Sequence, residues 1–247
     1  MIQDGMFDDF KIDEVYALHN WPELPLGTFG VNSGPMMAAV DEFDITVKGK
    51  GGHAASPHLA IDPVVISAQV ISAVQTIISR STDPVDKALI SITKINAGTA
   101  YNVIDDQVKM GGTIRTFRRE TRAYIEKRLN ELCKGIADAH GAEIKIEFDL
   151  VNKYPPTINS KEETKFAANV AKDLVGDDKV ITDIDPSMGG EDFSYLLEKK
   201  PGSYLYLGQG DAEHSAHLHT TKYDFNDNLL PIGVNFWVDL VQKYFSK

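Results

Sequence analysis

Histidines are the residues of this chain whose placement points most directly to chemistry. Two loop-like clusters and one break in an apolar run hold six of the seven: His53 and His58; His214, His217 and His219; and His19 in Leu18-His19-Asn20-Trp21-Pro22. A neutral imidazole binds a metal through one ring nitrogen, and the same ring exchanges a proton near neutral pH. Histidines gathered at the ends of elements therefore indicate a hydrolytic centre.

The composition limits the possible partners and compartment. With 247 residues and 43% hydrophobic side chains, the chain can bury one large core or two ordinary ones. Its net charge of -11 argues against nucleic acid and anionic membranes as partners, because both attract clusters of Lys and Arg. One cysteine, Cys133, cannot form an internal disulfide, which favours the cytoplasm. No apolar run approaches the ~18 to 20 residues of a membrane span.

Hydrophobic periodicity between about Val40 and Leu150 predicts the order strand, helix, strand, strand, helix, strand, which is that of a ferredoxin-like unit. The first strand alternates apolar residues with polar ones, and so does the last. Their apolar positions are Phe43, Ile45 and Val47 in the first strand and Ile144, Ile146, Phe148 and Leu150 in the last. Each strand should bury one face.

Four helices are predicted from capping residues and apolar stripes. Asp62 and Pro63 should begin the first helix, Gly141 should end the second, and Ser160 with Glu163 has the spacing of a capping box for the third. The expected buried stripes are Val64, Ala68, Ile71 and Val74 in the first helix; Ile125, Leu129, Leu132 and Ile136, with Cys133 among them, in the second; and Leu230, Val234, Trp237, Leu240, Val241 and Tyr244 in the last.

The predicted fold is α/β, with residues 40–157 inserted into a domain formed by residues 1–39 and 158–247. Residues 203–208 should form a buried strand of that divided domain. Residues 1–7 read as the tail of a helix, and the two flanking pieces offer few strands for a self-sufficient sheet. We therefore expect that part of the catalytic domain is missing upstream.

Seven stretches, in order along the chain, resemble the two-metal aminoacylase and carboxypeptidase family of metallopeptidases. The resemblance is to its amidohydrolase branch of hippurate hydrolases, indoleacetyl-amino acid hydrolases and N-acetyl-diaminopimelate deacetylases. The stretches are MIQDGMF (1–7), YALHNWP (16–22), GGHAASPH (51–58), AYNVI (100–104), GTIRTF (112–117), SMGGEDF (187–193) and LHTTKYDFND (218–227). Together they match roughly the C-terminal two thirds of the family pattern. The implied fold is part of a metallopeptidase-like catalytic domain with an inserted ferredoxin-like lid and dimerisation domain.

The resemblance implies that His19 and His219 are ligands of a divalent metal, each with its second nitrogen held by an acceptor. Without it, His19 equally fits a histidine at a strand end, and His219 fits a solvated loop residue. His217 stands two residues from His219, but Leu218-His219 keeps the family spacing. The matching cofactor is a pair of zinc, manganese or cobalt ions.

The resemblance also assigns residues that face the substrate. His53 matches a histidine that stabilises the oxyanion of the tetrahedral intermediate, often from the neighbouring subunit of a dimer. Asn102 and Arg115 match residues that grip the carboxylate side of an acyl-amino acid, and Gly189 and Gly190 would let backbone approach the ligand. The alternatives without a functional role are that His53 and Asn102 are turn residues and that Arg115 forms a surface salt bridge.

The family's remaining metal ligands and its carboxylate base come from segments upstream of residues that match this chain. Two histidines without carboxylates should hold zinc weakly. The leading hypothesis is therefore a metal-dependent amidohydrolase that cleaves N-acyl amino acids, truncated and weakly active by itself, and homodimeric through its lid. The alternative is a non-catalytic dimerising or binding remnant. A serine or thiol hydrolase is unsupported, since no Gly-x-Ser-x-Gly elbow occurs.

Overall fold

The computed structural model describes residues 1–149 and 153–246, and its mixture of helices and sheets confirms the α/β class. The strands are β1 (Val15–Pro25), β2 (Phe29–Gly30), β3 (Gly34–Met37), β4 (Ala39–Lys48), β5 (Gly52–His53), β6 (Ala88–Asn96), β7 (Val103–Ile104), β8 (Gln107–Thr116), β9 (Glu143–Phe148), β10 (Thr157–Asn159), β11 (Val180–Ile181) and β12 (Gly202–Gly210). The α-helices are α1 (Met6–Asp9), α2 (Pro63–Thr76), α3 (Arg119–His140), α4 (Lys161–Val175), α5 (Ser194–Leu197) and α6 (Leu229–Tyr244).

Two compact units make up the chain. Unit 1 comprises Met1–Met37, Thr157–Ser187 and Glu191–Lys247, and unit 2 comprises Ala38–Pro156 and Met188–Gly190. Each unit has a buried core of its own, as expected when a single chain folds into domain-sized pieces.

Unit 2 is built on a four-stranded antiparallel sheet in the order β6-β8-β4-β9. Its long strands and its helices α2 and α3 follow one another as strand, helix, strand, strand, helix, strand. Phe43, Ile45 and Val47 are buried on β4, as the alternation predicted. Leu150, predicted to continue the last strand, lies outside the described residues.

The first long helix begins where the sequence predicts, and its buried face overlaps the predicted one in part. The Asp62 carboxylate accepts the Val64 N–H at 2.8 Å, and Pro63 occupies the first turn. The buried side chains include Ile66 and Val70, whereas Val64, predicted to be in the core, is 45% exposed. Ala68 is also exposed. The prediction was confirmed for Val74, and Ile71 packs against the core, but it was wrong for Val64 and Ala68. Because α2 is apolar around most of its circumference, periodicity did not define one stripe.

One helical stretch of 19 residues, Pro63–Ser81, is long and apolar enough by length and composition to cross a membrane. It joins α2 to a π-helical turn at Ile77–Ser81. It meets the criterion by mean hydropathy and is not an uninterrupted apolar run, because polar residues such as Gln69 and Gln75 interrupt it. Core helices satisfy the same criterion, and Ile66, Val70 and Val74 of this stretch lie in the core of unit 2.

The second long helix follows its sequence prediction closely. Ile125 and Leu129 are completely buried and Cys133 is 1% exposed. Gly141 ends α3 with φ of 65°, a left-handed conformation that glycine adopts without a steric penalty.

Unit 1 contains a second sheet in the order β1-β12-β2-β11, with β1 and β12 parallel. Nearly all of β12 is buried, as its apolar run predicted. Helices α4 and α6 pack over one face of this sheet, where Phe29, Leu205 and Phe236 form the centre of the core.

Two helix predictions in unit 1 were wrong in detail. Ser160 precedes α4, but its hydroxyl accepts the Gly202 N–H at 3.2 Å and makes no cap bond. The Ser160 hydroxyl therefore bonds to the first residue of β12, and it does not accept an N–H group from the first turn of α4 as a capping box requires. On α6, Leu240 is buried as predicted, but the other buried residues are Leu229 and Phe236, whereas Leu230 and Val234 are more than half exposed.

Two threonines on β8 allow a matched test of buried hydroxyl groups. The Thr116 hydroxyl is buried and finds no hydrogen-bond partner among the described residues, whereas the Thr113 hydroxyl donates to the Asp41 carbonyl at 2.9 Å. Thr116→Val should raise the free energy of unfolding by about 1 kcal/mol, because an unpaired polar group leaves the core. Thr113→Val should lower it by about as much. Urea unfolding measures both, and equal effects of the same sign would contradict this prediction.

Candidate active site

His19 lies on β1, half-buried, with its backbone opposite Tyr206 of β12. Its Nδ1 atom is 2.7 Å from the Asn20 carbonyl oxygen. A carbonyl oxygen can only accept, so Nδ1 carries the proton and the Nε2 lone pair remains available. This is the tautomer that a metal ligand requires.

Aromatic rings surround His19. The rings of Trp21 and Tyr204 each lie 6.2 Å from the imidazole, and Trp21 stacks on Tyr206 with ring centroids 3.8 Å apart. The imidazole is thus held between bulky neighbours that restrict its rotation.

The Glu191 carboxylate accepts hydrogen bonds from this cluster of aromatic residues. The Tyr204 hydroxyl donates to Glu191 Oε2 at 2.7 Å, and the Phe193 N–H donates to Glu191 Oε1 at 3.2 Å. Burial, followed by the bond to Glu191, raises the pKa of Tyr204, so the phenol stays protonated. A hydrogen bond with Glu191, together with burial and the like charge, raises the pKa of Asp192. Glu191 therefore fixes the position of side chains near His19. It also precedes the short helix α5.

His219 lies in the connection between β12 and α6, where it is exposed. Its φ of 60° makes it the one non-glycine residue with positive φ in the part of the chain that the structure describes. A left-handed conformation costs roughly 1 kcal/mol or more for an ordinary side chain. Strain of this kind is concentrated at functional sites, which favours a specific role for His219.

The connection that carries His219 is tied to the strand that carries His19. Asn20 Nδ2 donates to the Tyr223 hydroxyl at 2.6 Å, and His217 Nδ1 lies 2.6 Å from Glu23 Oε1. The His217 side chain is 75% exposed, as is usual for a loop residue.

Sequence reasoning missed the residues that make this tie, namely Asn20, Gln209 and Tyr223. The available signal was a glutamine at the end of an otherwise apolar strand: Gln209 is completely buried. A buried side-chain amide needs hydrogen-bond partners, so a buried glutamine indicates a hydrogen-bond network around it.

A charged pair at the start of the same connection gives it a pH dependence. Asp211 Oδ1 accepts the backbone N–H groups of Glu213 and His214 and lies 2.8 Å from His214 Nδ1. These bonds lower the pKa of Asp211 to about 2, and the bond to Asp211 raises the pKa of His214.

The pair should be most stabilising between about pH 4 and pH 6.5. Its histidine part is complete below the ordinary His pKa of 6.5 and is lost as pH rises through the raised value, while its aspartate part is lost as pH falls toward 2. Amide hydrogen exchange at Glu213 and His214, corrected for intrinsic rates, should be slowest in that window. His214→Gln should remove the change on the alkaline side, and an unchanged profile in this variant would contradict the assignment.

The residues of unit 1 fit a metal in part. His19 presents a free nitrogen in the correct tautomer, and imidazole suits zinc, manganese or cobalt. Within residues 1–149 and 153–246, however, no group of three or more His, Cys, Asp or Glu side chains is placed to hold a metal ion. Catalytic zinc sites normally use three protein ligands, so the described set is incomplete.

Unit 2 brings two of the predicted substrate-facing residues together. β5 pairs with β7 at His53 and Val103, and the Ala54 N–H donates to the Asn102 carbonyl at 3.0 Å. His53 Nδ1 accepts the Ala55 N–H at 3.1 Å, so the neutral ring carries its proton on Nε2. Both side chains are exposed, and His53 offers an N–H donor.

Arg115 lies on β8 of the four-stranded sheet, at the end away from the separate β5–β7 pair. It pairs with Val40 on β4, whereas the β5–β7 pair lies beyond Lys48 and Gln107 at the other end. Eight residues of extended strand span roughly 26 Å, so Arg115 does not lie near His53 or Asn102 in one copy of unit 2. Burial lowers the pKa of Arg115, against the opposing charges of Glu42 and Asp41.

The two glycines serve packing inside unit 2. A Cβ on Gly190 would lie 2.1 Å from Val40 Cγ2, and the Gly189 carbonyl accepts the Ala38 N–H at 3.0 Å. The close approach at Gly190 is thus to the chain's own Val40, which explains why a side chain is excluded there.

Residues 1–243 match the sequence pattern of Peptidase family M20/M25/M40. The chain belongs to this family. The family resemblance seen in the sequence is therefore confirmed.

Individual M20 relatives are similar over nearly the whole chain. Hippurate hydrolase of Campylobacter jejuni is 38% identical over 246 residues, 100% of this chain and 63% of that protein. N-acetyldiaminopimelate deacetylase of Lactobacillus helveticus is 40% identical over 234 residues, 94% of this chain and 60% of that protein. The chain thus spans less than two thirds of the length of these relatives.

Solved structures show the same fold. A protein from methicillin-resistant Staphylococcus aureus matches with a TM-score of 0.88 at 28% identity, covering 98% of this chain and 61% of that one. A dinuclear metal-binding peptidase of the M20 family from Bacillus subtilis matches with a TM-score of 0.78 at 30% identity, covering 97% and 58%.

Proposed function

We propose that these residues belong to a metal-dependent amidohydrolase that hydrolyses N-acyl amino acids. The observation that carries the proposal is the tie between the β1 segment of His19 and the connection that bears the strained His219. Family membership and relatives named as a hippurate hydrolase and a deacetylase support the substrate class.

In this proposal His19 and His219 hold a divalent cation, which would polarise the amide carbonyl and acidify a water molecule. The water oxygen adds to the acyl carbon as the carboxylate base takes its proton. That proton passes to the departing nitrogen as the C–N bond breaks, and the products are a carboxylate and a free amino acid. His53 donates its Nε2–H to the developing oxyanion. Arg115, permanently cationic, and Asn102 hold the substrate carboxylate.

We further propose that the active form is a homodimer through unit 2. His53 and Asn102 lie together at the β5–β7 pair, and Arg115 lies at the far end of the four-stranded sheet, so one copy cannot bring all three to a small substrate. A second copy removes this conflict by supplying His53 and Asn102. The exposed apolar residues Val64 and Val65 on α2 offer surface for such a contact.

The remaining ligands and the carboxylate base come, in this proposal, from a segment outside the 247 residues. The greater length of the relatives allows it. Unit 1 offers a place for such a segment, a groove of about 280 Å³ whose lining includes Leu18, Asn20, Leu230 and Val234. Residues 1–247 alone should therefore bind metal weakly and turn over slowly.

The test compares residues 1–247 with an extended chain, in which the N-terminal segment of the Campylobacter jejuni hippurate hydrolase precedes Met1. Zn²⁺ content and hydrolysis of hippurate, N-acetylcysteine and N-acetyldiaminopimelate are measured for both. The extended chain should hold two metal ions and hydrolyse at least one substrate. Stoichiometric metal and rapid hydrolysis by residues 1–247 would remove the need for the segment, and failure of both chains on all substrates would contradict the hydrolase proposal.

A second candidate function is a non-catalytic dimerising or binding remnant. The absence of a three-ligand group among the described residues favours it. The family resemblance implies that the carboxylate base and a bridging ligand lie in a Glu-Glu-Gly segment. An in-frame segment of this kind in the coding sequence preceding Met1 would favour the enzyme, and its absence would favour the remnant.

A reducing, cytoplasmic location is also proposed. Its support is Cys133, a single buried thiol whose pKa burial raises to about 11. Such a thiol is unreactive and forms no disulfide within the chain.

A further inference from the structure

We infer that Asn20, Gln209 and Tyr223 form a positioning network that sets His19 and His219 relative to each other. This inference rests on the proposed metal site and adds residues that no ligand assignment includes. None of the three needs to touch the metal, because each acts through the backbone or side chains that carry the histidines.

Gln209 is the centre of the network, and it is 0% exposed. Its Oε1 accepts from Asn20 Nδ2 at 2.9 Å and from the Tyr223 hydroxyl at 3.2 Å, and its Nε2 donates to the Asp224 carbonyl at 3.1 Å. Its own carbonyl accepts from Asn226 Nδ2 at 3.0 Å. Both ends of the buried amide are thus satisfied, and β12 is joined to the connection before α6.

Asn20 links this centre to His19. Its carbonyl oxygen accepts from His19 Nδ1, and its side-chain amide donates to Gln209 and to the Tyr223 hydroxyl. One residue therefore fixes the imidazole tautomer and also grips the segment that bears His219, four residues before Tyr223.

A chelating pair of imidazoles needs such a link. The connection between β12 and α6 is a long irregular segment, and His219 within it has a strained backbone. Without fixed partners, the segment would sample conformations in which His219 points elsewhere, and each immobilised residue costs conformational entropy on binding. A buried, fully hydrogen-bonded network immobilises the segment during folding, so His19 and His219 are preorganised before metal binds.

Tyr223→Phe is the sharpest variant, because it removes one oxygen and two hydrogen bonds from the network. The probe is Zn²⁺ alone, titrated into residues 1–247 with ¹⁵N-labelled histidine, and the Nε2 signals of His19 and His219 are followed by NMR. In the wild-type chain both signals should shift together with one dissociation constant. In Tyr223→Phe the constant should rise roughly 10- to 100-fold and the two signals should separate.

Two comparisons separate positioning from general stability. Tyr124→Phe removes a hydroxyl from unit 2, far along the chain from the network, and should leave the Zn²⁺ titration unchanged. Asn20→Ala provides a second variant, whose folded fraction is checked by urea unfolding and should show the same decoupling. A merely structural role would lower stability and leave the affinity of the folded fraction unchanged.

The outcomes are distinguishable from failure of the proposed function. Independent responses of His19 and His219 in the wild-type chain would overturn the shared metal site and the network with it. A joint response in the wild type that persists in Tyr223→Phe and Asn20→Ala would leave the metal site standing and overturn the positioning role.

Discussion

Replacing His219 with alanine in the extended chain should lower the rate of N-acyl amino acid hydrolysis at least roughly 10³-fold, since a catalytic metal supplies several kcal/mol of transition-state stabilisation. The metal content should fall in parallel. His19→Ala should do the same, because its free Nε2 is the other imidazole donor. Both variants are measured by initial rates and by metal analysis.

His217→Ala is the matched control. His217 stands two residues from His219, but its ring is paired with Glu23 at the surface. Exposed pairs contribute little to stability, so this variant should keep most of its activity and its metal. If His217→Ala lost the metal and His219→Ala kept it, His217 would be the metal ligand in place of His219.

His53→Ala should lower kcat by roughly 10²- to 10³-fold with little change in KM, the usual cost of losing one oxyanion donor. Arg115→Ala should chiefly raise KM, because it removes a contact to the substrate carboxylate. Neither variant should lose metal. The neighbouring His58→Ala, exposed in the same loop, should leave both constants nearly unchanged.

Mixing the two impaired variants, assayed at a substrate concentration well below the wild-type KM, tests whether a second copy completes the site. Random pairing of His53→Ala and Arg115→Ala chains gives heterodimers with one intact site of two, so activity should recover to about one quarter of the wild-type value. Mixing the His53→Ala chain with a chain that carries both His53→Ala and Arg115→Ala should recover no activity. Heterodimers without activity would show that His53 and Arg115 do not act on one substrate from different copies.

Much of the local structure could be predicted from the sequence. Asp62 with Pro63 and Gly141 defined helix ends because their effects depend on backbone geometry within one turn. The alternation at Phe43, Ile45 and Val47 defined a buried strand face for the same local reason. The family was also predictable, since its motifs are short and occur in a fixed order.

Which side of an apolar helix is buried could not be predicted. On α2 the core takes Ile66 and Val70 in place of Val64, because the contacting sheet selects the face. Ser160 shows the same limit: its hydroxyl bonds to Gly202, 42 residues away, instead of capping its own helix.

The sequence by itself determined the fold class, the family and the candidate histidines, because these depend on local periodicity and on residue types at short spacing. Only the tertiary structure decided that Asn20, Gln209 and Tyr223 tie the His19 strand to the His219 connection, and that Arg115 lies a strand's length from His53. Contacts between residues nearly 200 positions apart depend on how strands pair, and no pattern within a single segment contains that information.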